Sequence, residues 1–134
     1  MPLPSPQQSP EALYRQRLII WVAMLFSIAM YGVVAQMVHP EAATVTPALV
    51  EALLLAAVAL VAASFAVKSY FFKRASESSN PAFVRAGELI AFTLCEAAAL
   101  LGLVAWFVAA SPRYYWFLIL GAAGQLLHYP RRED

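Results

Sequence analysis

The chain has 134 residues, of which 62% are apolar and only 13% charged, with a formal net charge of +1. Charged residues make up roughly a quarter of a soluble domain, so an ordinary soluble globule is excluded, in keeping with a mean hydropathy of +0.67. The near-neutral balance offers no field to nucleic acid, and the single cysteine, Cys95, excludes an intrachain disulfide and a thiolate metal cluster.

Residues 1–17 carry Pro2, Pro4, Pro6 and Pro10 among Ser and Gln, the composition of a disordered tail. Four apolar runs follow, at 18–38, 48–67, 89–110 and 114–129. A spanning helix needs about 20 apolar residues, with roughly 17–25 tolerated. Three runs qualify cleanly. The fourth is short, but Tyr114, Tyr115 and Trp116 at one end and His128 and Tyr129 at the other place aromatic groups where interfacial belts belong. The first run is too long for the roughly 7–15 residues of a signal-peptide core. Pro40 and Pro47 bracket one connector, 68–88 with its Ser76, Ser78, Ser79, Asn80 and Pro81 forms the next, and Ser111 and Pro112 require a tight turn. Residues 130–134 close the chain as a second tail. The sequence thus predicts an all-α integral membrane four-helix bundle with no soluble domain.

Basic residues set the orientation. Arg15, Arg17, Lys68, Lys73, Arg74, Arg85, Arg131 and Arg132 fall on one side and only Arg113 on the other. The positive-inside rule then places both termini in the cytoplasm, and the high alanine content suggests a bacterial inner membrane.

Within lipid, helices associate through close packing at small residues. Span two offers the stripe Ala52, Ala56, Ala59, Ala63 and Ala66; span three offers Ala91, Cys95, Ala98, Gly102, Ala105 and Ala109. Their steps of three and four are those of a helix-pair seam, so spans two and three are expected to form an antiparallel hairpin along these stripes. Superposing Arg15 on Arg85 also pairs Ile20 with Ile90, Ala29 with Ala99, Gly32 with Gly102, Val34 with Val104, Ala35 with Ala105 and Val38 with Val108, a hint that span one repeats span three.

The residue with the most chemistry is Glu96, near the middle of span three. A carboxyl there costs on the order of 3 kcal/mol on insertion scales and is a functional candidate by default. Desolvation favours its neutral form, from which it could pass a proton; alternatively it is bonded to a serine, a tyrosine or a backbone carbonyl of a neighbouring helix. Glu88, two turns earlier on the same face, is either part of a proton access path or a solvated surface residue. Glu51 suits the start of span two, Lys68 can snorkel, and Gln36 and Gln125 suit helix-to-helix hydrogen bonds. His39 and His128 fall at opposite ends of their spans, roughly 30 Å apart, so no metal or haem takes both, and no cofactor is implied. Cys95 reads as a packing residue. The sequence carries no Walker loop, HExxH, GxSxG or nucleophile–base pair, which argues against an enzyme.

The stretch from Cys95 through Val104 resembles the carboxyl-bearing helix of the proteolipid ring subunits of rotary ATPases. Glu96, Ala97, Gly102, Leu103 and Val104 match that helix in type and spacing, and Asn80-Pro81 looks like the polar loop before it. The resemblance, confined to 80–104, implies that Glu96 is an ion-carrying carboxyl. The residues themselves suggest a non-enzymatic accessory or scaffold subunit whose partners are the bilayer and other membrane subunits or a second copy. The alternative is a proton-coupled carrier or proton-translocating subunit working through Glu96.

Overall fold

The computed structural model describes residues 9–41 and 47–132. Among these the chain is all-helical, with α1 Pro10–Met37, α2 Pro47–Ser78, α3 Ala82–Ala109 and α4 Tyr114–Leu127. Three helices, α1, α2 and α3, are long and apolar enough to cross a membrane. The 14 residues of α4 give about 21 Å of helix at 1.5 Å per residue. Residues 1–8 of the tail expected over 1–17, residues 42–46 of the connector between spans one and two, and Glu133 and Asp134 lie outside the described residues.

Two of the expected boundaries move. Residues 10–17, expected within the tail, belong to α1: the Ser9 hydroxyl accepts the Ala12 N–H at 3.3 Å and Pro10 follows at the first helical position, a strong helix start. The connector over 68–88 shrinks to Ser79, Asn80 and Pro81, because α2 continues to Ser78 and α3 begins at Ala82. Ser79 adopts a left-handed conformation with φ of 50°, which ends α2, and the Asn80 side chain accepts the Ala82 N–H at 3.0 Å. Serines and charges do not break a helix whose flanks pack: Phe71 lies 6.3 Å from Phe83, ring to ring, and Gly87 lets Phe71 approach so closely that a Cβ on Gly87 would fall 2.6 Å from it.

The α3 helix is the centre of the bundle. It touches all three others, whereas α1 and α2 do not pack on each other. Ala91, Cys95, Ala98 and Ala105 are fully buried and Gly102 is buried with them, while Ala109 is half-buried. The α2 side of the seam differs from the alanine stripe. Ala52, Ala56, Ala59 and Ala66 are exposed and Ala63 is half-buried; the helix instead turns Val50, Ala57, Val61 and Ser64 inward, with Leu53, Leu54 and Leu60 beside them. The reason is steric. A groove of small residues on α3 is filled best by larger side chains on α2, so only one partner need be small.

Gly102 also serves a different neighbour from the one expected. A Cβ there would fall 2.7 Å from the Phe117 Cβ and 2.9 Å from the Tyr114 carbonyl oxygen, so its smallness admits α4. Gly121 and Gly124 do the same from the α4 side, where added Cβ atoms would meet the Cys95 carbonyl at 2.7 Å and the Cys95 sulfur at 2.8 Å.

The α1 helix runs parallel to α3. Arg85 bonds Gln16, Glu88 bonds Arg17, Glu96 bonds Ser27 and the Trp106 indole bonds the Val38 carbonyl, so residues 68 to 71 positions apart stand at matching heights. The outward stripe of α1, with Ile19, Val22, Phe26, Met30, Val33 and Met37, is exposed. Tyr14 and Tyr129 meet hydroxyl to hydroxyl at 3.2 Å, which brings the start of α1 and the end of α4 to the same end of the bundle.

Candidate functional site

The α1–α3 interface holds both carboxyls singled out in span three. Glu96 on α3 faces Ser27 and Tyr31, one helical turn apart on α1. Its Oε1 accepts from Ser27 Oγ at 2.6 Å and from Tyr31 OH at 2.5 Å, and the two hydroxyl oxygens are 2.9 Å from each other. Glu96 itself is half-buried. Three mutual hydrogen bonds need three protons, of which the hydroxyls supply two.

Two turns along α3, Glu88 is not a solvated residue. It is buried to 2% exposure, and Arg17 of α1 grips it with Nε on Oε2 at 2.6 Å and Nη2 on Oε1 at 2.5 Å. A bidentate guanidinium–carboxylate pair satisfies a buried carboxylate in both charge and geometry. Between the two carboxyls lies Phe92, 1% exposed. The α1 helix contributes few buried apolar residues, Ile28 and Ala35, so its attachment relies on these polar bonds together with those of Trp21, Trp106 and Gln36. Inside α1 the Trp21 indole donates to the Gln125 carbonyl at 2.7 Å; at its C-terminal end the Trp106 indole donates to the Val38 carbonyl at 2.8 Å and Gln36 donates to the Tyr114 hydroxyl at 2.8 Å. The Trp106 indole thereby satisfies a carbonyl that the end of α1 leaves open, whereas the Gln125 carbonyl also accepts the His128 N–H at 3.2 Å.

A second polar group sits on the far side of α3. His128, expected at the edge of span four, is 1% exposed, and its Nε2 lies 2.8 Å from the Ser64 hydroxyl. Ser64, fully buried, also reaches the Val61 carbonyl at 2.6 Å, and the Cys95 thiol lies 3.5 Å from it. The fold therefore assembles a serine–histidine contact that spacing did not suggest. The signal was present: Ser64 is the one hydroxyl inside the 48–67 run. Both side chains are buried, and the pair joins α2 to the residue that caps α4. Gln125 is fully buried, but its side-chain amide, expected to bridge helices, has no partner among the described residues.

Of the other residues weighed from sequence, Glu51 and His39 are exposed, and Lys68 lies 5.3 Å over the Phe72 ring. Among the described residues no group of three His, Cys, Asp or Glu is placed to hold a metal ion. Compared with protein-family models, with curated proteins and with solved structures, the chain matches none.

Proposed function

We propose that the chain is a non-enzymatic, four-span subunit of a membrane assembly, with both termini cytoplasmic and the bilayer of a bacterial inner membrane as its surroundings. The observation that carries this reading is that both membrane-zone carboxyls of α3 are engaged by the chain's own α1, Glu88 by Arg17 and Glu96 by Ser27 and Tyr31. Intramembrane polar groups used this way join helices and leave no group over for chemistry. The outward stripe of α1 then faces lipid or a neighbouring subunit. In the four-span arrangement α4 crosses as the short member, anchored by Tyr114, Tyr115 and Trp116 at one interface and Tyr129 at the other.

The second reading is proton handling through Glu96. It draws on the column Glu88, Phe92 and Glu96, which lies along the face of α3 turned to α1, with an opening beside Glu88 and Phe92.

Carboxyl infrared difference spectroscopy on the protein in nanodiscs, referenced to Glu96→Gln, separates the two. A Glu96 signal that heavy water leaves unchanged is the expected result. A signal that exchanges readily, with proton flux in liposomes that Glu96→Gln abolishes, would replace the subunit reading with the carrier.

A further inference from the structure

We propose that the cleft where α1, α3 and the segment after α4 meet binds an anionic phospholipid. Its phosphate sits on Arg85 and Arg132, and one acyl chain lies in the slot between α1 and α3.

A cavity of about 550 Å³ opens at the charged end of the bundle, with Tyr14, Arg17, Arg85, Arg132 and one carboxylate, Glu11, in its wall. A smaller cavity of about 130 Å³ shares Arg17 and Arg85 with it and continues along α1 and α3 past Ile20, Leu89 and Phe92. Guanidinium groups thus stand above an apolar slot, the order of groups in a lipid. The depth is also right. Arg17 immediately precedes the apolar run at 18–38 and Arg85 lies one turn before the run at 89–110, so the change from polar to apolar wall falls at the level of a headgroup.

The charges divide unequally. Arg17 is balanced by Glu88, and Arg132 stands 4.0 Å from Glu11, both side chains well exposed. Arg85, also exposed, is held at 2.6 Å by the Gln16 amide oxygen, a neutral partner that leaves its charge uncompensated. Arg132 further lies 5.5 Å over the Tyr14 ring, which fixes it at the rim. Basic pockets at this level recognise phosphate-bearing headgroups, with Arg suited to their bidentate geometry. A free phosphate would use the same arginines, but only a lipid also fills the slot.

The test uses the full chain in mild detergent, titrated with phosphatidylglycerol or with phosphatidylcholine of the same acyl chains and followed by native mass spectrometry. Preferential retention of phosphatidylglycerol is expected. Arg85→Gln and Arg132→Gln should each weaken it roughly fivefold, Arg85→Lys should largely keep it, and Arg113→Gln at the opposite end should leave it unchanged. Ile20→Phe, which fills the slot, should weaken lipid retention with both arginines intact. Equal retention of the two lipids by the unaltered chain would overturn the proposal, and that comparison stands even if a variant fails to fold. A loss with Arg113→Gln as large as that with Arg85→Gln would also overturn it, as would displacement of the lipid by an equal concentration of inorganic phosphate, the mark of a free-anion site.

Discussion

Ser27 and Glu96 stand 69 positions apart in the sequence and 2.6 Å apart in space. That contact, with the Tyr31 bond beside it, ties a peripheral helix to the central one about halfway along α3. Hydrogen bonds between membrane helices contribute about 0.6 kcal/mol on average, with model-peptide values of about 1–2 kcal/mol. Ser27→Ala and Tyr31→Phe should therefore each destabilise the fold by about 1 kcal/mol, and the double variant by less than the sum, since the three groups act as one unit. Steric-trapping measurements in bicelles would read both values; strict additivity would show that the triangle is not a unit.

The Arg17–Glu88 pair should behave differently. Glu88 is 3% exposed at its side chain and Arg17 15%, so removing the arginine strands a buried carboxylate. Arg17→Ala should cost about 3–5 kcal/mol, whereas replacing both residues with methionine should be nearly neutral or even stabilising. The same unfolding assay distinguishes them, and a double variant as damaged as Arg17→Ala would contradict this account.

Glycine substitutions test how closely α4 approaches α3. A Cβ on Gly121 meets the Cys95 carbonyl at 2.7 Å, a backbone atom that has no rotamer with which to escape, whereas one on Gly32 meets only the end of Leu118 at 3.4 Å. Gly121→Ala should cost about 1–3 kcal/mol through overpacking, and Gly32→Ala should be tolerated. A thermal melt monitored by circular dichroism in detergent suffices to rank them; equal melting temperatures for the two variants would argue against the close approach.

Ala110 closes α3 in the left-handed region, with φ of 47°, while the Ser111 N–H caps the Ala105 carbonyl at 3.3 Å. An L-residue there carries a steric cost of about 1–2 kcal/mol that glycine does not. Ala110→Gly should raise the melting temperature, the reverse of the usual effect of adding a glycine. A fall would mean that the turn relaxes to another conformation.

Much of this architecture was legible from the residue pattern, and the failures share one physical cause. The α3 stripe from Ala91 to Ala105 lies inside because the helix at the centre must be thin on several sides. The α2 alanines satisfy the same spacing rule yet Ala52, Ala56, Ala59 and Ala66 face outward. In lipid a small apolar residue is cheap on either face, so smallness alone does not locate a seam. Glu96 was expected either to move protons or to bond a serine or tyrosine, and the tertiary arrangement supplies one of each in Ser27 and Tyr31. The choice of neighbour for Glu88, and the meeting of Ser64 with His128, depend on which helices lie side by side, which no local spacing encodes. The parallel alignment of α1 with α3 joins residues 65 to 71 positions apart, close to the offset that pairs Arg15 with Arg85 in the sequence. Ala57→Leu, at a fully buried position, against Ala59→Leu, at an exposed one, would measure the distinction directly: overpacking at the first should cost about 1–3 kcal/mol and the second should cost little.

The separation of α1 from α2 has a consequence for biogenesis. Chains are made from the N-terminus, so α1, with Ser27 and Tyr31, is made before α3 supplies their partner, and α2 follows without docking on it. Only when α3 emerges do those hydroxyls meet Glu96 and does Arg17 meet Glu88. The α1 helix therefore waits through the synthesis of its sequence neighbour, and a nascent chain halted before α3 carries α1 as an orphan, with its polar face unpaired and open to whatever surveys unassembled segments.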